Sequence, residues 1–158
     1  MLSGYRLTSE LPCQTSRYVN RGYNQNIKIQ GVGLMNVSVV TYALDRLADL
    51  GIEHVFGVPG DYAFPINDAV EVHPRLTWVP SANELNAAYA ADGYARRRGA
   101  GIVCTTYGVG ELSALNGLMG AMAERLPVFH LVGVPSLRII RQGMICHHTL
   151  GDRNYNHF

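Results

Sequence analysis

Cysteine is scarce in this chain: Cys13, Cys104 and Cys146 are odd in number, widely spaced and include no C-x-x-C pair. That argues against a disulfide framework or a structural zinc site and favours a reducing, cytoplasmic setting. No apolar run approaches the ~20 residues that span a bilayer. The first thirty residues also lack the compact apolar core of a secretory signal. An excess of one charge is missing too, since 13 basic and 12 acidic side chains leave a formal net charge of +1. Neither nucleic acid nor a membrane surface is therefore an expected partner. The single basic cluster, Arg96-Arg97-Arg98, falls at the end of an expected helix, where it complements the negative end of the helix dipole.

What is present is enough for one domain. The 158 residues are 47% hydrophobic and 16% charged, a composition that folds and buries about 70% of its unfolded surface at this length. Residues 1–34 are rich in Ser, Thr, Asn, Gln, Tyr and Gly without periodicity and are expected to form a disordered or non-native extension. From Ser38 onward Val40, Ala43, Leu44, Leu47 and Leu50 recur at helical spacing, and Gly51 stands where a C-cap glycine belongs. A strand is expected over 54–58, a weaker helix over 64–72, and a strand over 76–79. An alanine-rich helix follows over 83–98, then a strand over 101–105, a helix over 111–125 and a strand over 127–132. Beyond Gly133 the regularity fades. Short apolar strands alternating with helices predict a single α/β domain over 35–158, a parallel sheet flanked by helices on both faces. Ligands of such sheets sit at the carboxyl ends of the strands. Pro59-Gly60-Asp61, Ser81-Ala82-Asn83-Glu84 and Tyr107 to Gly110 each follow a strand and are expected to share that rim.

Three segments carry chemistry-bearing residues. Gly108-Val109-Gly110-Glu111-Leu112-Ser113 is a near miss to G-x-G-x-x-G. It follows the third strand rather than the first, and Glu111 places a negative charge where a phosphate would lie, so a tight strand-to-helix turn accounts for it better. Ser81 and Glu84 have capping-box spacing. Equally, Glu84 opens a helix made thin by Ala87, Ala88, Ala90 and Ala91, where a carboxyl group in apolar surroundings exchanges protons near neutrality. Composition leaves both readings open. His147-His148 lies beside Cys146 but has no third ligand at recognised spacing, so metal binding is not expected. Acid–base work at the rim and two half-exposed loop histidines are the readings that remain.

Taken together, Phe56 to Tyr62, Ala82 to Arg96, Thr106 to Ala114 and His147-His148-Thr149-Leu150-Gly151-Asp152 resemble, in order and spacing, the N-terminal pyrimidine-binding domain of thiamine-diphosphate-dependent 2-oxo acid decarboxylases acting on pyruvate, indolepyruvate or phenylpyruvate. The resemblance implies that Glu84 hydrogen-bonds the cofactor's aminopyrimidine and favours the imino tautomer that removes the thiazolium proton. It implies that Asp61, His147 and His148 handle the substrate carboxylate and later protonation, as a coupled set. Pro59 and Thr106 correspond to positions lining the pyrimidine pocket. In that family the diphosphate and Mg²⁺ are held by a C-terminal domain through a Gly-Asp-Gly…Asn motif that does not occur here. The cofactor lies between two subunits of a homodimer or homotetramer.

The resemblance thus reads this chain as a fragment, inactive by itself, lacking central and diphosphate-binding domains. Departures from the family pattern are Arg153-Asn154 after Asp152, together with Pro65 and Pro80-Ser81. They bear on substrate-pocket shape more than on cofactor contact. Rival readings are a non-catalytic module that pairs with full-length subunits, and a domain of an acetolactate-type synthase, against which the paired histidines argue. Resemblance begins just after Met35, and Gln30-Gly31-Val32 is compatible with codons containing AGGAG, a ribosome-binding sequence. Translation is therefore expected to start at Met35. Mass spectrometry of native protein should find an N-terminus at Met35 or Asn36, and a native peptide from Tyr5 to Arg17 would refute the start site.

Overall fold

The computed structural model describes residues 37–155. The expectations for residues 1–34 and for Cys13 lie outside that range. Nine elements alternate as α1 (Val39–Ala48), β1 (His54–Gly57), α2 (Phe64–Glu71), β2 (Thr77–Pro80), α3 (Glu84–Arg98), β3 (Gly101–Thr106), α4 (Val109–Ala123), β4 (Val128–Gly133) and α5 (Leu137–Gln142) among the described residues. The four strands form one parallel sheet in the order β2-β1-β3-β4.

The α/β expectation is met, and alternation along the strands shows why both faces are covered. Val55, Ile102 and Cys104 join Leu44, Ile52 and Val70 in a core beneath α1 and α2. Phe56 and Val103 pack on the opposite side with Ala87, Ala91 and Leu118 of α3 and α4. Strand β3 is buried at every position, as a central parallel strand should be. In register, Gly57 pairs with Pro80 and Cys104, and Thr106 pairs with Gly133. All four strand-to-helix connections therefore leave from one edge.

Local chemistry sets the ends of the helices. The Ser38 hydroxyl accepts from the Thr41 N–H at the start of α1. Helix α1 stops at Ala48, and Gly51, with φ of +83°, ends the turn that follows rather than capping the helix itself. The two unusual prolines are accommodated. Pro65 lies in the first turn of α2, where its missing N–H costs nothing, and Pro80 ends the edge strand β2. Arg96, Arg97 and Arg98 do occupy the last turn of α3. Arg96 also pairs with Asp92 and Glu124, and Arg98 with Glu53. Helix α5 was not expected; Ser136 caps it and Gly143, at φ +58°, closes it.

Helices α3 and α4 approach closely because small residues line their contact. A Cβ on Gly117 would stand 2.7 Å from the Ala88 Cβ, with Ala88 backbone behind it. A Cβ on Gly93, further along α3, meets nothing within 4 Å. Gly117→Ala should therefore destabilise the chain by about 1–2 kcal/mol, overpacking outweighing a gain of about 1 kcal/mol in helix propensity. Gly93→Ala should stabilise it by about 0.5–1 kcal/mol. Urea denaturation of the two variants checks the opposite signs.

Candidate functional site

The rim at the carboxyl ends of the strands gathers the residues singled out above. Asn83, not Ser81, caps α3: its side-chain oxygen accepts from the Asn86 N–H at 2.9 Å. Glu84 is consequently the first residue of the helix, and the capping box read from Ser81 does not form. The reason is register, since a glutamate must sit three residues past the cap to reach back. The Glu84 carboxylate makes no hydrogen bond or ion pair among the described residues. It faces α4 instead, where a Cβ on Gly110 would lie 3.5 Å from its Oε1.

Two glycines let the backbone pack closely around Thr106 beside it. A Cβ on Gly60 would fall 2.6 Å from the Thr106 Cβ, and one on Gly110 would fall 3.1 Å from the Thr106 Cγ2. Thr106 is buried, and its hydroxyl oxygen has no hydrogen-bond partner among the described residues. A buried hydroxyl without a partner is costly unless a ligand completes it. Pro59, beside Gly60, is exposed on the same rim. Gly60, Gly110, Thr106 and Glu84 thus form a cradle of minimal side-chain bulk with a free hydroxyl and a free carboxylate.

The turn at Gly108, with φ of +70°, is closed from within. Glu111 Oε2 accepts from the Gly108 N–H at 2.8 Å, so the helix's own carboxylate occupies its N-terminus. This is the physical reason the glycine string does not read as a phosphate loop.

Asp61 and the two histidines also meet. His147 Nε2 lies 3.0 Å from Asp61 Oδ2, with both side chains more than half exposed. The His147 and His148 rings are 4.6 Å apart between centroids at an interplanar angle of 79°. His148 adopts φ of +62°, and its Nδ1 is buried without a partner among the described residues. Among the described residues no group of three potential ligands is placed to hold a metal ion.

Sequence reasoning did not single out the aromatic residues around this group. The Tyr62 ring stacks on His147 at 4.8 Å and 16°, and meets His148 and Tyr107 edge-on. Tyr107 donates to the Tyr155 carbonyl at 3.2 Å, and Tyr155 donates to the Met144 carbonyl. Cys146 Sγ lies 3.6 Å from the Tyr155 hydroxyl. The available signal was position, because Tyr62 directly follows Asp61 on a rim loop.

Fold and site together define an α/β binding domain with a ligand cradle along the carboxyl edge of a parallel sheet. Residues 37–153 match the family described as thiamine pyrophosphate enzyme, N-terminal TPP binding domain, and the chain belongs to that family. Its family ligand is thiamine diphosphate, and the half-buried Glu84 carboxylate, the orphaned Thr106 hydroxyl and the two glycines beside them fit the edge of a polar ring. The chain is similar to an alpha-keto-acid decarboxylase of Mycobacterium avium (strain 104), 54% identical over 77% of this chain and 22% of that protein. It is likewise similar to the alpha-keto-acid decarboxylase of Mycobacterium tuberculosis (strain ATCC 25618 / H37Rv), at 52% identity over 77% of this chain and 22% of that protein. The chain thus spans about a fifth of the length of these relatives, and no helix among its described residues is long and apolar enough to cross a membrane.

Titration should report how the rim is supported from below. Burial pushes the Cys104 thiol up to about 12, opposed by the Asn67 amide facing its sulfur. Burial, then the neighbouring Cys146, pushes the Tyr62 hydroxyl up to about 12 as well. Both groups are protonated in the fold at pH values where the unfolded chain loses its protons. Their stabilisation is complete below pH ~8.5 and is lost as pH rises toward about 12. The urea midpoint should fall from pH 8.5 to 10.5, with Cys104 contributing at most about 1.4 kcal/mol per pH unit. Cys104→Ala should flatten that slope whatever its effect on the baseline.

Proposed function

We propose that this chain is the cofactor-activating N-terminal domain of a non-oxidative 2-oxo acid decarboxylase that converts pyruvate, indolepyruvate or phenylpyruvate to the aldehyde. The observation that carries the reading is the unused Glu84 carboxylate facing Gly110, beside the unpartnered Thr106 hydroxyl. Bound thiamine diphosphate would supply the electron sink that decarboxylation needs. Glu84 would hold a proton at the pyrimidine edge and bias its tautomer. Thr106 and Pro59 would line the ring. Asp61, His147 and His148 would receive the substrate carboxylate and relay protons as one coupled set. The acid–histidine contact at 3.0 Å supports that division of labour, and so do the names of the relatives. In this reading the diphosphate and Mg²⁺ are held by a C-terminal domain outside these residues, in a homodimer or homotetramer working in the cytoplasm. By themselves these residues supply the pyrimidine side of such a site and turn over no substrate.

A second reading, a non-catalytic module that pairs with full-length subunits, is favoured by one observation. Val109, Leu112, Leu115, Met119 and Met122 are exposed on α4, with the spacing of a single helix face. Co-purification with a full-length relative without change in its rate would favour that module.

The pure chain should release no carbon dioxide from the three 2-oxo acids with added thiamine diphosphate and Mg²⁺; metal-dependent turnover would overturn the fragment reading. Substituting residues 37–155 for the matching segment of the M. avium relative should give an active chimera. In it Glu84→Gln should lower kcat by roughly 100-fold or more, the scale of lost proton transfer. Because Glu84 does not cap α3, a near-normal rate would mean that it has no part in the chemistry.

A further inference from the structure

The histidine loop is held weakly by its own backbone. Between Gly143 and Gly151 the local contacts are the Thr149 hydroxyl donating to the Cys146 carbonyl at 2.7 Å and the Gly151 N–H donating to the Thr149 hydroxyl at 3.3 Å. No helix or strand carries His147 or His148. Their rings nevertheless have defined orientations, and among the described residues one aromatic side chain meets both.

That side chain is Tyr62. Its ring covers one face of His147 and meets His148 edge-on at 5.8 Å. Its single hydroxyl proton faces two acceptors at nearly equal distance, the His147 carbonyl at 3.3 Å and His147 Nδ1 at 3.4 Å. The base of Tyr62 is well anchored, since the next residue, Ala63, is fully buried and its amide donates to the Gly60 carbonyl. A Cβ on Gly133, at the end of β4, would collide with the Tyr62 carbonyl. Tyr62 therefore ties a loosely built loop to the rigid edge of the sheet.

We propose that Tyr62 is a positioning residue that fixes the ring plane and tautomer of His147. Asp61 and Tyr62 act as a pair on opposite nitrogens. An ionised carboxylate only accepts, so Nε2, 3.0 Å from Asp61, carries the proton of the neutral ring. Nδ1 is then the lone-pair nitrogen, and it shares the single Tyr62 hydroxyl proton with the His147 carbonyl in a three-centre contact. Stacking holds the ring so that Nε2 stays on Asp61. Burial keeps the hydroxyl protonated, and so able to donate, well above neutral pH. The consequence for chemistry rests on the decarboxylase reading; the positioning itself does not.

The test uses the full 158-residue chain with ¹⁵N-labelled histidine at pH 8.5, where long-range proton–nitrogen spectra report each ring. His147 should show a protonated Nε2 and an unprotonated Nδ1. Tyr62→Phe keeps the stack but removes the donor, so the Nδ1 resonance should move downfield while the ring-proton shifts stay. Tyr62→Leu removes both, so the upfield ring-current shift of the His147 protons should also disappear. A His147 spectrum unchanged in Tyr62→Phe would overturn the proposal even if the leucine variant failed to fold. In the chimera, Tyr62→Leu should lower kcat roughly 10-fold, the scale of losing a supporting contact, and shift the pH profile, with Tyr62→Phe restoring most of the rate. Unchanged kcat and pH profile would remove any role in positioning for catalysis. If instead Glu84→Gln leaves the chimera active, the decarboxylase reading fails while the spectra still decide the placement of His147.

Discussion

The rim depends on the close approach of α3 and α4. Ala88 against Gly117 brings the two helix backbones together, and nearer the N-termini the Glu84 carboxylate lies over Gly110. The two contacts progress in the same direction along both helices, because each helix leaves the carboxyl end of a parallel strand. Their N-termini consequently open side by side at the sheet edge. A larger residue at Gly117 would force the helices apart, and one at Gly110 would press on Thr105 and Thr106 of β3 beside Glu84. One packing constraint therefore sets both the stability of this face and the geometry of the cradle.

Much of the fold was legible because hydrophobic periodicity reports burial directly. The buried run of β3 and the alanines of α3 indicated elements whose centres are correct. What was misread lay at boundaries, where side-chain hydrogen bonds compete. Ser81 and Asn83 both suit an N-cap, and spacing to a glutamate favoured Ser81, whereas the chain selects Asn83. Helix α5 has six residues, too few for a period to emerge.

The site was legible to a different depth. Glu84, Thr106, Asp61 and the histidines were named from spacing and resemblance, and the fold brings Glu84 to Thr106 and Asp61 to His147. The relation between those two groups was not readable, and neither were the glycines that make the cradle. A glycine's role here is the absence of a side chain facing another element, which only tertiary structure discloses. Tyr62 escaped notice for the complementary reason: an aromatic residue in a loop has no periodicity, and its partners are 85 residues away.

The self-capping of α4 has a consequence for which way round a ligand can lie. Glu111 already occupies the N-terminus of α4, where a phosphate would otherwise be favoured, and Asp61 and Glu84 add two further carboxylates to the same edge. Such an edge accepts hydrogen bonds from an aromatic amine and repels an anionic tail. For a molecule with a neutral ring at one end and an anion at the other, an edge of this charge favours the ring over the anion.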